Sequence, residues 1–296
     1  MSEKSFPTGS EKKFNEFLVG EYLKYGSVDE VMRKHKYAIP ISYANYQRIL
    51  DKWGIIKAAG PNNKLSEAIN FLHRMVQEEI PLEKLYKKMP PSFMTSAVTL
   101  YRVLGYIKEG ITRRMGTALI LSPENNDNLV LTAVDISTPR FDLGKKFGSI
   151  SLPMTFSRIR DTRENAILRV MQYEVFTDLA IEKKVPVNAI PNRPKPFMYL
   201  DIADVRVEVF KIVLPKRYSK VRDFSSFRLK DFKFLNINNL GKLEKQKSQF
   251  RVGVIEAMKG YKKFTGLKKR NLSFNPLQFK SDMNYFLSDE AVSKTA

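Results

Sequence analysis

The chain of 296 residues contains no cysteine and only two histidines, His35 and His73. The first absence excludes disulfides, thiolate nucleophiles and cysteine zinc sites together, and the second leaves too few ligands for a histidine metal centre. No apolar run approaches the ~20 residues of a membrane span, and the polar N-terminus lacks the apolar core of a signal peptide. A cytoplasmic protein with no membrane partner is expected. The hydrophobic fraction of 43% suits a folded chain rather than a disordered one. The length allows two domains or more, each with its own core.

Acid is also in short supply. There are 31 Asp and Glu against 51 Lys and Arg, a net charge of +20. The excess sits at the two ends: residues 1–115 carry +7, residues 116–200 carry +2, and residues 201–296 carry +11. Such an imbalance points to a polyanion, because each neutralised phosphate releases a counterion. A solvated lysine-rich surface is the plainer alternative.

What is present begins with a repeat. Shifted by 54 positions, Val28, Val31, Lys34, Ser42, Ala44, Arg48, Ile49 and Leu50 fall on Leu82, Leu85, Lys88, Ser96, Val98, Arg102, Val103 and Leu104. Each unit reads as three helices, near Lys12–Tyr25, Val28–Lys36 and Ser42–Trp53 in the first and near Leu65–Glu78, Leu82–Lys88 and Thr95–Ile107 in the second. Ser27 with Glu30 three residues later forms the pattern of a capping box, and Pro81 fixes φ at the matching start. Three helices with a tight link before the last make the helix-turn-helix plan, whose third helix enters the major groove of DNA. On that helix Ala44, Tyr46, Ile49, Leu50 and Trp53 are expected inward. Ser42, Asn45 and Arg48 form an outer stripe, matched by Ser96, Thr99 and Arg102 in the second unit, and such side chains hold phosphates or read base edges. DNA is therefore expected over RNA, with a plain helical bundle or a protein-binding pair of winged modules as the structural alternatives. Gly54–Gly60 reads as a linker, and Arg113-Arg114, at the junction between the second unit and the domain after it, are further candidate DNA contacts.

From Gly116 the period changes. Thr117–Leu121 and Leu129–Val134 are β-rich runs around a turn-rich loop, and Phe147–Leu152 is a further strand candidate. Arg163–Ile181 has helical spacing in Ala166, Leu168, Met171, Val175 and Leu179. Val205–Leu214 and Lys230–Asn236 read as strands and Phe250–Phe264 as a last helix, which together make an α+β sandwich. Lys262, Lys263, Lys268, Lys269 and Arg270 crowd the end of that helix beyond what its dipole asks for and are candidate phosphate contacts. Phe274, Leu277, Phe279, Tyr285 and Phe286 in the tail suit packing on the body or a partner.

Thr155, Asp161, Arg169, Met171 and Glu174 have the spacing of G-x5-E-x7-R-E-U-x-E-E-x-G-U, in which U is aliphatic. On those residues the segment Gly116–Phe264 resembles the Nudix hydrolases, with Asp161 on the first glutamate, Arg169 on the arginine and Glu174 on the last glutamate. Val170 and Tyr173 stand on two further glutamates and Phe176 on the second glycine. The resemblance implies a Nudix-like sandwich. In that family the three glutamates hold Mg²⁺ against a diphosphate, and hard cations draw on several oxygen ligands. The substitutions remove two of the three, so catalysis, metal and cofactor are expected to be absent. The degenerate box comprises Asp161, Glu164, Arg169 and Glu174.

The expected protein is a multi-domain DNA-binding regulator: an all-α tandem helix-turn-helix region with units at 1–60 and 61–115, an α+β Nudix-like sandwich at 116–270, and a tail at 271–296. The sandwich would sense a nucleotide-type ligand, dock nucleic acid or support a homo-oligomer. Two alternatives remain: a Mg²⁺-dependent Nudix hydrolase of nucleoside diphosphate derivatives using Asp161, Glu164 and Glu174, and a structural nucleic-acid-binding protein.

Overall fold

The computed structural model describes residues 6–7, 10–59, 114–140, 143–158, 160–203, 205–270 and 275–283. The expected second helical unit and most of the tail lie outside them.

Serine starts each helix of the first unit. Ser10, Ser27 and Ser42 accept hydrogen bonds from the backbone N–H groups of Lys13, Glu30 and Asn45, which fixes the starts of α1 (Glu11–Tyr25), α2 (Val28–Lys34) and α3 (Tyr43–Lys52). The Ser27 cap is one-sided. The Glu30 carboxylate pairs with Arg33 along the helix instead of closing a capping box. Leu18, Val19, Leu23, Val31, Tyr46 and Leu50 form the centre of the unit, and the Tyr46 hydroxyl donates to the Leu18 carbonyl at 2.6 Å. Ala44 is exposed, contrary to its expected inward face. Residues 35–42 separate α2 from α3, so the link is longer than the tight turn of a helix-turn-helix.

The rest is an α/β/α sandwich. Strand β1 (Arg114–Pro123) pairs in parallel with β6 (Val205–Leu214) and antiparallel with β4 (Met154–Ser157). Strand β5 (Met198–Ile202) pairs antiparallel with β6 and in parallel with β8 (Leu277–Lys280), which gives the order β4-β1-β6-β5-β8. Part of the tail is thus a sheet edge. A second, antiparallel sheet has the order β3-β2-β7, from Ile150–Ser151, Leu129–Asp135 and Leu229–Asn236.

Alternation explains how the main sheet is covered on both faces. Leu119 and Leu121 of β1 and Phe210, Ile212 and Leu214 of β6 pack with Ile167, Val170 and Met171 of α4 (Arg163–Glu174). Ala118 and Ile120, with Val205, Val207 and Val209, face Val254, Met258 and Tyr261 of α7 (Val254–Lys269). Short α5 (Thr177–Ile181) follows α4, and α6 (Leu240–Lys245) precedes α7. Gly253, at φ 91°, lets the chain enter α7 against the sheet, where a Cβ would lie 2.5 Å from Ile202 Cδ1. The described helices with mixed sheets bear out the α+β class expected for the part of the chain after the helical units.

The helical unit is seated on this sandwich. Tyr173 and Ala180 complete its core, and Trp53 Nε1 donates to the Ile181 carbonyl at 2.9 Å. The expected linker is a docked strap: Gln172 Nε2 donates to the Gly54 carbonyl at 2.8 Å and its Oε1 accepts from Ile56 N at 2.9 Å. Arg158 Nη2 donates to the Ala58 carbonyl at 2.8 Å.

Candidate functional site: a cationic cleft at the end of α4

Helix α4 carries a buried ion pair at one end and a cleft at the other. Arg169 is only 2% exposed. Its Nη1 lies 2.6 Å from Asp161 Oδ2, and its Nε donates to the Lys57 carbonyl at 2.9 Å. Burial pushes the Asp161 pKa up, but the Arg169 guanidinium and the Arg158 backbone N–H outweigh it and hold the carboxyl below its usual value. The residues matched to the first glutamate and the arginine of the box therefore meet, as a structural pair. Glu164 stands on the first turn of α4 and does not line the cleft. Asp161 does not line it either, so the three-carboxylate set expected for an enzyme does not assemble.

Glu174, the last residue of α4, points into a cleft of about 590 Å³ between the sandwich and the helical unit. Asp135, at the end of β2, faces the same space. These two carboxylates are outnumbered by six cations in the cleft walls: Lys24, Arg140, Lys145, Arg169, Arg228 and Arg251. Arg228 Nη1 is 3.5 Å from Glu174 Oε1, while Lys145 Nζ and Arg251 Nη1 are each 3.7 Å from Asp135 Oδ2. Asp135 Oδ1 also accepts from Ser137 N at 2.9 Å and Ser137 Oγ at 2.6 Å. Lys24, Tyr25, Ala58 and Ala59 bring the helical unit into the wall.

The field in the cleft moves protons in opposite senses. Burial pushes the Glu174 pKa up to about 7, with Arg228 opposing and Asp135 adding to the rise. Burial also holds Lys145 below its usual value, against the pull of Asp135. A carboxyl poised near neutral pH beside an excess of cations can bind an anion and exchange a proton with it or with water.

The two substituted box positions have structural roles. Val170 packs in the core under α4, and Tyr173 packs edge-on against Tyr22 at 6.5 Å between ring centroids, with the Arg228 guanidinium 5.1 Å from its ring. Sequence reasoning missed the cations Arg140, Lys145, Arg228 and Arg251 as a group, and it missed Asp135. Its signal is a lone carboxylate closing the apolar run Leu129–Val134, visible in the sequence but unconnected there to Glu174.

The expected nucleic-acid residues scatter. Ser42, Asn45 and Arg48 face solvent on α3; Ser42 is engaged as the cap, and Arg48 Nη1 donates to Asn45 Oδ1 at 3.2 Å. Arg114, a candidate DNA contact by sequence, is the first residue of β1 and is buried, with its guanidinium 5.3 Å from the Phe156 ring. Lys262, Lys263, Lys268, Lys269 and Arg270 are exposed along and after the end of α7. Ser96, Thr99, Arg102 and Arg113 lie outside the described residues. No described helix is long and apolar enough to cross a membrane.

No protein-family model matches the chain, and no curated protein matches it in sequence. Among solved structures it is similar to a Nudix hydrolase from Nitrosomonas europaea, at 14% identity and a TM-score of 0.37 over 57% of this chain and 78% of that one. It is also similar to a bifunctional NMN adenylyltransferase/ADP-ribose pyrophosphatase from Francisella tularensis, at 13% identity and a TM-score of 0.35 over 89% and 86% of the two chains. The same enzyme solved with AMP and a manganese ion matches at 16% identity and a TM-score of 0.35 over 82% and 74%. These likenesses are distant and concern the fold. The similar structures are hydrolases and one was solved with a manganese ion, which runs against the expectations of a non-catalytic domain and of no cofactor.

Proposed function

We propose that the chain is a divergent hydrolase of Nudix type that takes the phosphates of a nucleoside diphosphate derivative into the cleft. The observation that carries this reading is the buried Glu174, with its pKa near 7, inside walls of six cations. Arg140, Lys145, Arg228 and Arg251 bind and orient the phosphate oxygens, and the enclosed setting strengthens each charge-assisted hydrogen bond. Ionised Glu174 accepts a proton from water as its oxygen forms a bond to phosphorus. The phosphoanhydride P–O bond breaks, and the departing phosphate keeps the electron pair beside the cations.

Among the described residues no three acidic or histidine side chains gather as a cation cage. Two carboxylates still suit an ion that completes its shell with phosphate oxygens and water, and Asp135 raises the proton affinity of Glu174 in the way expected of a pair that shares one positive charge. Asp135 and Glu174 are the residues that would hold such an ion. It would supply charge neutralisation on the phosphates.

The regulator reading gains nothing from the fold, because the α2–α3 link is long and Ser42 is engaged as a cap. The test is a hydrolysis screen over nucleoside diphosphate derivatives with Mg²⁺ or Mn²⁺. Turnover is expected to rise with pH as Glu174 ionises and to fall roughly 10²-fold or more in Glu174→Gln. No turnover with either ion, or full turnover in the variant, overturns the reading.

A further inference from the structure

The cleft does not end at the sandwich. Lys24, Tyr25 and Thr138 also form the rim of a groove of about 560 Å³ that runs over the helical unit past Arg33 and Tyr37. The charge of the two spaces differs. Cations dominate the cleft, whereas in the groove Lys24 and Arg33 are balanced by Asp29 and Glu30.

An aromatic ring stands at this balanced surface. Tyr37 is 70% exposed, and it sits with Lys36 in the left-handed region, at φ 58° and 52°. Two successive non-glycine residues in that region are costly, and they turn the chain after α2 so that the ring reaches the groove instead of the helical core. Tyr25 offers a second ring at the junction of the two spaces.

We propose that this groove is the nucleoside subsite of the cleft, with the base stacked on Tyr37 and the sugar hydroxyls hydrogen-bonded by Asp29. The inference rests on the proposed phosphate role of the cleft and adds where the uncharged part of the ligand goes. A neutral, hydroxyl-rich and aromatic moiety fits a balanced groove, and its phosphates fit the cationic space it opens into. Base stacking on an aromatic side chain tolerates any base, so the subsite would accept nucleosides without strong preference among them.

The test is titration calorimetry of the full chain with the four nucleoside diphosphates and with inorganic pyrophosphate. In Tyr37→Ala, nucleoside diphosphates are expected to bind about tenfold more weakly while pyrophosphate binding is unchanged. Tyr37 is exposed, so the variant is expected to fold, and unchanged pyrophosphate binding reports that it has. Equal losses for both ligands, or no loss for either, overturn the subsite and leave the phosphate reading standing. Absence of pyrophosphate and nucleotide binding by the wild type overturns the phosphate reading and the subsite with it.

Discussion

The two ends of α4 each present a carboxylate to cationic groups, with opposite outcomes. At the first end Asp161 and Arg169 close on one another, and the guanidinium also ties in the Lys57 carbonyl of the strap. Asp161 is held ionised. At the far end Glu174 has Arg228 at 3.5 Å and Asp135 as a repelling neighbour, and burial raises it to about 7. A carboxylate closed on one buried guanidinium is a structural pin, whereas one raised by burial within a cation-lined cleft is a candidate place for a ligand or a proton to be exchanged. The box arginine and first acid of the sequence thus mark the pin, and the last acid marks the site.

That contrast can be broken from the structural end first. Arg169→Met is expected to destabilise the protein by about 3–5 kcal/mol in urea unfolding, since it strands partners of a buried charge and frees the strap. A loss below ~1 kcal/mol would show that the pin is dispensable. The next effect lies at the other end and depends on pH. Glu174 keeps its proton to about 7 in the folded chain, against its ordinary value of 4.5, so folding binds protons in that interval and stability falls as pH rises through it. Glu174→Gln removes this loss. Above pH 7 the variant is expected to gain stability, on the order of 3 kcal/mol at most, and below pH 4.5 to match the wild type. A variant less stable at pH 8 than at pH 4 relative to wild type would contradict the assignment. The smallest effect is expected for Arg228→Ala. It should weaken pyrophosphate binding about tenfold and move the rise of turnover to higher pH, because Arg228 opposes the upward shift of Glu174. An unchanged pH profile would separate Arg228 from Glu174.

Much of this was legible along the chain. The alternation of Leu119 and Leu121 with Ala118 and Ile120, the serines before α1, α2 and α3, and the spacing of Asp161, Arg169 and Glu174 are local signals, and the structure uses them as local rules predict. The strap was not legible. Gly54–Gly60 has the composition of a linker, and side chains distant in the sequence, those of Gln172, Arg169, Arg158 and Tyr22, give its backbone groups partners.

The sequence by itself determined the elements, the sandwich class and the excess of positive charge, because these come from periodicity, capping and composition. Only the tertiary structure decided that Asp135 meets Glu174 and that the helical unit closes the cleft with Lys24 and Tyr25. The reason is that a pKa or a binding wall depends on which groups share a small volume, and groups more than thirty positions apart are brought together by packing and not by spacing.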